Sequence, residues 1–373
     1  MSVQLRSEIK SNNTLTLSLA QVSIPEPAED EIVIRVEAAP INPSDIGLLF
    51  GPAHMNASQL TGSTQQPVVT APVNEDSMAS VSSRIDQSMV AGNEGAGVVV
   101  AAGSSENAQA LMGKVVAAAG GGMYSQYRAL KVNQCMVMPD NVTPAQAASS
   151  FVNPLTALAM TETMRKEGHT ALVHTAAASN LGQMLNKVCL ADGIQLVNIV
   201  RSAQQVEILR DIGAQYIVNS SSDSFHKDLV SALLATGATL AFDAIGGGAL
   251  ANDILAAMES AANQSASDFS RYGSTIHKQV YMYGGLDKNT STLNRNYGMA
   301  WGIGGWLLTA FLQKSDTSKI IELQNRVAQE ILTTFESKYN NEISLSQAIH
   351  PETILQYGKQ TTGNKYLINP NKI

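Results

Sequence analysis

Cysteine is scarce in this chain of 373 residues: Cys135 and Cys189 are the only two, far apart and in no C-x-x-C pair. That excludes a disulfide scaffold and a four-cysteine zinc site. Basic residues are a minority, 24 Lys and Arg against 31 Asp and Glu, which leaves a charge of −7 and a pI near 5.4. A nucleic-acid binder needs a basic face for phosphates, so no nucleic-acid partner is expected. Charged residues make up only 15% and aromatics 5%, while 44% are hydrophobic, a balance that excludes a disordered chain or a coiled coil. Long apolar runs are missing too. The longest uncharged apolar stretch, 299–312, is too short and too rich in glycine to span a bilayer, so no membrane partner is expected. The opening MSVQLRSEIK lacks the apolar core of a signal peptide. The expectation is a cytoplasmic globular protein of roughly two domains, at about 150 residues each.

What is present falls into two rhythms. In residues 31–37, Ile32, Ile34 and Val36 share one face at period two, the pattern of a half-buried strand. Short apolar runs at 95–100 and 113–116, bounded by glycine, continue it, and repeated short strands suggest a small barrel or sandwich. Residues 51–90 are rich in Ser, Thr, Gln, Asn and Met and lack that periodicity; they read as a long inserted loop, either a lid or a solvated excursion. From about residue 168 strands alternate with helices: strands at 171–175, 194–200, 215–219, 239–243 and 280–283, and helices at 181–191, 203–212 and 224–235. That alternation predicts parallel βαβ units with right-handed crossovers, an α/β fold with a doubly wound nucleotide-binding sheet. The tail, 342–373, returns to short strands around 365–368 and is expected to fold back onto the first domain.

The first βα turn reads Ala176-Ala177-Ala178-Ser179-Asn180-Leu181-Gly182. Set against G-x-G-x-x-G, the three special positions fall on Ala177, Ser179 and Gly182, of which only the last is glycine. Small residues meet part of the demand for a tight turn and a close approach to pyrophosphate, and the helix that follows offers free N–H groups at its positive end. The alternative is an ordinary small-residue turn. Sites for NAD commonly carry an acid at the end of the second strand, for the adenosine ribose. Here Arg201 and Ser202 stand instead, with no acid from Asn198 to Gln205. A cation and a hydroxyl suit the 2′-phosphate of NADPH; the plainer reading of Arg201 is a solvated residue opening a helix.

Taken in order, these motifs resemble the medium-chain dehydrogenase/reductase superfamily, and within it the zinc-independent NADPH:quinone oxidoreductase branch. The matching stretches are Ala39-Pro40-Ile41-Asn42-Pro43-Ser44-Asp45, Gly92-Asn93-Glu94-Gly95-Ala96-Gly97, Tyr124-Ser125-Gln126-Tyr127, Leu155-Thr156-Ala157, the 177–182 turn, Ile212-Gly213-Ala214, Phe242-Asp243-Ala244-Ile245-Gly246-Gly247 and Thr362-Gly363-Asn364-Lys365. The resemblance implies an N-terminal GroES-like β-barrel catalytic domain over 1–150, completed by 316–373, and a Rossmann NADP(H)-binding domain over 151–315. It also implies residue roles. Ala178, Ser179, Asn180 and Leu181 would hold the pyrophosphate, and Arg201 and Ser202 with Asn219 and Ser220 the adenosine end. Asn153 and Thr156 would lie near the diphosphate or nicotinamide. Ala244, Ile245 and Gly246 with Tyr283, Gly284 and Gly285 would line the nicotinamide ribose, and Lys365 would close the site.

The departures shape the functional reading. Zinc-dependent relatives carry a histidine ligand where this chain has Asn93, and a cysteine ligand in the loop that here reads Asn42-Pro43-Ser44-Asp45. Catalytic zinc needs thiolate and imidazole, so no metal is expected. The six histidines show no ligand spacing, and His174, in an apolar strand, reads as a satisfied core residue. Zinc-free relatives often place a tyrosine just after the early-loop motif, and residues 47–54 contain none. Asn42, Asp45, Tyr124 and His54 are the candidates for polarising a substrate carbonyl; Asp45 could instead cap a turn, and Tyr124 could simply pack beneath the sheet. The expected function is NADPH-dependent hydride transfer to a small-molecule acceptor, a quinone or an α,β-unsaturated carbonyl compound. Enoyl-thioester reduction is the alternative, and a non-catalytic NADPH-binding sensor or structural protein is a reading from another class. The nearly uncharged stretch 299–308, with Trp301 and Trp306, predicts a sheet edge that pairs with its twin in a homodimer.

Overall fold

The strand Glu31–Pro40 organises the first half of the molecule because it is apolar on both faces: Ile32, Ile34 and Val36 are buried, and so is Val33 on the opposite side. It pairs antiparallel with Glu94–Ala102, with Tyr127–Lys131 and, at its far end, with Tyr366–Ile368 of the tail (Leu367 opposite Pro40). Val115–Ala119, Cys135–Val137 and Asn341–Ile343 extend this sheet. The computed structural model describes residues 1–63 and 66–372. It divides the chain into two units, one of Met1–Val152 with Gln324–Ile373, the other of Asn153–Leu323.

A second sheet in the first unit corrects the reading of 51–90 as an insertion. Pro67–Pro72 pairs antiparallel with Thr14–Val22, and Gln59–Gly62 and Met89–Val90 lie at the two edges of the same sheet. Val69, Ala71 and Val73 are buried in the core that Leu5, Ile9, Leu15 and Leu17 share with Ile32, Ile34 and Val36 of the larger sheet. The segment is therefore part of the domain core. The tail joins that core through Ile349, Ile354, Tyr366 and Ile368.

The second unit is a six-stranded sheet, parallel throughout. Across the sheet run Tyr216–Asn219, Gln195–Val200, Ala171–His174, Leu240–Asp243, Lys278–Met282 and Trp301–Gly305. Numbered along the chain this is the order 3-2-1-4-5-6, the doubly wound arrangement of dinucleotide-binding folds. Helices Asn180–Ala191, Ala203–Asp211, Phe225–Thr236 and Leu250–Gln264 make the crossovers. Buried Val173, Val197, Ala241 and Val280 meet Leu229, Leu233, Ile254 and Met258 in one apolar layer. The last crossover, 283–300, contains no helix. Among the described residues no helix is long and apolar enough to cross a membrane.

Trp301–Gly305 is an edge strand, but its tryptophans do not face outward as the dimer argument required. Trp301 packs edge-on against Tyr297 at 4.9 Å, and Trp306 edge-on against Phe242 at 5.4 Å while donating to Thr163 Oγ1 at 3.2 Å. The side chains left exposed beside the edge are Met299, at 79%, and Leu307, at 61%.

Candidate active site

In a parallel sheet every strand ends on the same edge, so the turns that follow the strands of the second unit gather there. The order reverses between Ala171–His174 and Leu240–Asp243, the switch point where such sheets take their ligands. Asp243 is fully buried and pins that point. Its Oδ1 accepts from Thr175 Oγ1 (2.7 Å) and Ile245 N (2.9 Å), and its Oδ2 from Gly246 N (3.0 Å). Thr175 Oγ1 in turn accepts from Ala244 N at 2.8 Å. Neither Thr175 nor Asp243 was singled out from sequence; the signal was a hydroxyl and an acid closing two neighbouring strands.

The phosphate turn is built from small residues, though not at the expected positions. The residue in the left-handed region is Ala176, at φ +50, where alignment had put the first special position on Ala177. Ser179 caps the helix Asn180–Ala191: its Oγ accepts from Gly182 N at 3.1 Å. Gly182 is required by contact, since a Cβ there would lie 2.2 Å from Ala177 O. Ala178 is buried and its carbonyl accepts from Gln183 Nε2 at 2.9 Å.

Arg201 ends the second strand and is exposed, in no ion pair among the described residues. Ser202 caps the next helix by accepting from Gln205 N, and Ser220 donates to Val200 O at 3.1 Å. Asn219 Oδ1 accepts from Ser221 N at 3.0 Å. After the fourth and fifth strands the chain closes on itself. Gly246, at φ +79, and Gly284 touch backbone to backbone: a Cβ on either would fall 2.6 Å from Gly284 O or Ala244 O respectively. Gly285 has open space where a Cβ would go. Asn153 and Thr156, both buried, lie in the first turns of the helix Val152–Lys166.

The Tyr283 ring, expected at the nicotinamide ribose, has a partner within its own unit. Its hydroxyl meets His174 Nε2 at 2.8 Å and the rings stack at 5.8 Å. His174 is not a fully satisfied core histidine, because its buried Nδ1 has no partner among the described residues, and burial pushes its pKa down to about 3.

In the first unit Asn42, Asp45 and Tyr124 come together, but each is committed to the protein. Pro43 and Ser44 open the short helix Pro43–Leu49, and Asp45 braces its start: Oδ2 accepts from Asn42 N (2.9 Å) and Oδ1 from Asn93 N (2.8 Å). Burial pushes the Asp45 carboxyl up to about 7 in spite of those two donors. Asn42 Nδ2 donates to Glu94 Oε1 at 2.7 Å, and its buried Oδ1 is unpartnered. Tyr124 has no exposed surface and gives its hydroxyl to Pro40 O at 2.9 Å, so it is not a substrate-facing donor. His54 is exposed at the start of a single 3-10 turn.

Glu94 lay inside a quoted motif without a role. It is fully buried, and its Oε2 accepts from Phe151 N (2.8 Å) and Val152 N (2.9 Å) where the helix Val152–Lys166 begins. Burial raises its pKa, and the positive charge of Lys365 opposes that rise. Lys365 Nζ donates to Ser149 Oγ at 2.8 Å and lies 5.3 Å over the Tyr339 ring, whose hydroxyl also reaches Ser149 Oγ at 2.8 Å. Among the described residues no group of three or more His, Cys, Asp or Glu could hold a metal ion.

Known proteins point the same way. The family model for the alcohol dehydrogenase GroES-like domain matches residues 28–140, in the first unit. A proposed NADPH:quinone reductase from Mesorhizobium loti has the same fold: 23% identity, 99% of this chain and 98% of that one covered, TM-score 0.72. The first unit thus carries an alcohol dehydrogenase GroES-like domain, and the whole chain shares its fold with reductases. Another solved structure of this fold is the Escherichia coli quinone oxidoreductase complexed with NADPH, at 18% identity, 99% and 100% coverage and TM-score 0.67. By sequence the chain is 30% identical over 210 residues to the mitochondrial enoyl-[acyl-carrier-protein] reductase of Xenopus tropicalis, a match over 54% of this chain and 51% of that protein. The match thus spans about half the length of that curated relative.

Proposed function

We propose that the protein is an NADPH-dependent oxidoreductase that reduces a quinone or an α,β-unsaturated carbonyl compound without zinc. The observation that carries the reading is the cationic end of the second strand. Exposed Arg201, with Ser202 and Ser220, stands where NAD sites carry an acid. The Ser179-capped helix start would hold the pyrophosphate on its N–H groups, with Asn219 at the adenosine end. Gly246 and Gly284, pressed together, keep side chains out of the space beyond the switch point. Bound NADPH supplies the hydride, and the protein's task is to orient, exclude water and manage the proton. Amide and hydroxyl groups stand where zinc-dependent relatives have imidazole and thiolate; Asn93 Nδ2 donates to Ser44 Oγ at 3.0 Å.

Enoyl-thioester reduction is the second reading, favoured by the likeness to the Xenopus enoyl reductase. We further propose a homodimer through the Trp301–Gly305 edge, and a reducing compartment such as the cytoplasm, which suits a chain with so little cysteine. The test is NADPH oxidation followed by absorbance across quinones, enones and enoyl thioesters, with NADH as control. Turnover confined to thioesters would select the second reading. Tight NADPH binding with no turnover of any acceptor would turn the protein into a sensor.

A further inference from the structure

We propose that Asp243 biases the cofactor site toward the oxidised, cationic nicotinamide, by fixing a buried negative charge on the turn assigned to that end of the cofactor. This rests on the NADPH-binding reading above, and the residues concerned all belong to the second unit.

Asp243 closes the fourth strand, Leu240–Asp243, and has no exposed surface. Its partners among the described residues are all donors: Thr175 Oγ1 (2.7 Å) and Ile245 N (2.9 Å) to Oδ1, and Gly246 N (3.0 Å) to Oδ2. A carboxyl that accepts three hydrogen bonds and gives none has the pattern of a carboxylate. Thr175 is committed in turn, since its Oγ1 accepts from Ala244 N at 2.8 Å. The charge is therefore bonded to 244–246, the residues expected at the nicotinamide ribose.

No cation answers that charge: among the described residues Asp243 is in no ion pair. Lys278 stands at the far end of the fifth strand, Lys278–Met282, and is spent on Glu259 at 2.7 Å. Arg201 follows the second strand, two positions across the sheet from the fourth. The titratable side chains that close the two neighbouring strands are neutral at pH 7. His174, fully buried at the end of the first strand, is pushed down to about 3 by burial. Tyr283, just after the fifth, is pushed up by burial and by the charge of Asp243 itself. Glu259, the other buried acid of this unit, shows the contrast, because an ammonium touches it.

A buried charge without a counterion is unfavourable, and a cation brought near it offsets the penalty. The two redox forms of the cofactor differ by one hydride, so the ring is neutral when reduced and cationic when oxidised, while the adenosine and pyrophosphate groups are the same. The carboxylate therefore favours the oxidised form and, with it, the loss of hydride to an acceptor. Charge and shape are separable here. Damage to the 244–246 turn weakens both forms alike, whereas loss of the charge moves their affinities apart. Asp243 is a positioning residue for that turn whose charge also sets the preference between redox forms.

The experiment measures dissociation constants for NADP+ and NADPH by calorimetry, with no acceptor present, in wild type, Asp243→Asn, Asp243→Glu and Thr175→Val. Wild type should bind NADP+ more tightly than NADPH. Asp243→Asn should move that ratio toward NADPH by about tenfold, the scale of one charge acting through a partly polar interior. Asp243→Glu keeps the charge but strains the turn, and Thr175→Val removes one donor. Both should weaken the two forms together and hold the ratio within about twofold. Equal weakening of both forms in Asp243→Asn, or the same shift of ratio in Thr175→Val, would leave the carboxylate a structural brace and overturn the inference. Should Asp243→Asn fail to fold, wild type and Asp243→Glu decide: NADP+ favoured in both supports the charge, and NADPH favoured in wild type overturns it. Binding of neither form to wild type would overturn the NADPH reading itself, and the inference with it.

Discussion

Replacing Asp45 by asparagine should flatten the pH dependence of stability. Asp45 is buried, and its carboxyl is pushed from an ordinary value near 3.8 up to about 7 by desolvation, against the pull of the Asn42 and Asn93 N–H groups. The folded state therefore holds this proton more tightly than the unfolded chain, whose Asp titrates near 3.9. A raised carboxyl contributes no penalty below about pH 4, where both states are protonated. The penalty grows as pH rises to about 7 and is complete above it, so stability falls with rising pH in that window. At about 1.4 kcal/mol per pH unit the full penalty is about 4 kcal/mol, of which about 2.5 kcal/mol develops between pH 5 and pH 8.

Asparagine is a near-isostere of the protonated acid: one oxygen still accepts an N–H, and the other position becomes a donor. Asp45→Asn removes the titration, so the difference in unfolding free energy between variant and wild type should move in the variant's favour by about 2.5 kcal/mol from pH 5 to pH 8. Urea denaturation at both pH values measures it. An unchanged gap between pH 5 and pH 8 would show that the carboxylate is stabilised where it stands.

Arg201→Ala should weaken NADPH by roughly five- to tenfold, the low end of a charge-assisted hydrogen bond because the residue is exposed, and leave NADH unchanged; equal loss for both cofactors would return Arg201 to a solvated surface role. Lys278→Met should cost about 3–5 kcal/mol in urea unfolding, since it strands the buried Glu259 carboxylate among Ser274 and Asn263. Recovery of most of that loss in Lys278→Met combined with Glu259→Leu is expected, and its absence would mean the loop contacts matter more than the charge. Light scattering should give twice the 39.5 kDa chain mass at micromolar concentration, and Ile303→Pro on the edge strand should shift it toward one chain; a wild-type mass of 39.5 kDa would remove the dimer.

The parallel sheet was legible because its strands are short apolar runs stopped by glycine and its helices carry apolar residues on one side, so Ala171–His174 through Leu240–Asp243 fall within a residue or two of expectation. Pro67–Pro72 was missed for a physical reason. It shows only Val69 and Ala71 on its buried face between two prolines, too little alternation to stand out from a polar stretch. Tyr283 and the tryptophans were assigned to surfaces from their position in the chain. Which way an aromatic ring turns depends on partners such as His174, Phe242 and Tyr297, which periodicity does not reveal. The lysine cluster was least accessible of all: Ser149 and Lys365 are separated by 216 positions, Ser149 and Tyr339 by 190.

The first unit keeps negative charge near Lys365 without letting it settle there. Asp45 accepts the N–H groups of Asn42 and Asn93, and Glu94 those of Phe151 and Val152 with the Asn42 amide, so each carboxylate fixes chain geometry through amide donors. Their field still favours the ammonium, which is why Lys365 remains charged near neutrality despite burial. Had either acid turned to touch it, the lysine would resemble Lys278, whose direct pair with Glu259 anchors a loop and whose proton has nowhere to go. Committing an acid to amide donors separates the two settings of a buried lysine, so one chain contains a direct ion pair and, in its other unit, an ammonium held by hydroxyl groups.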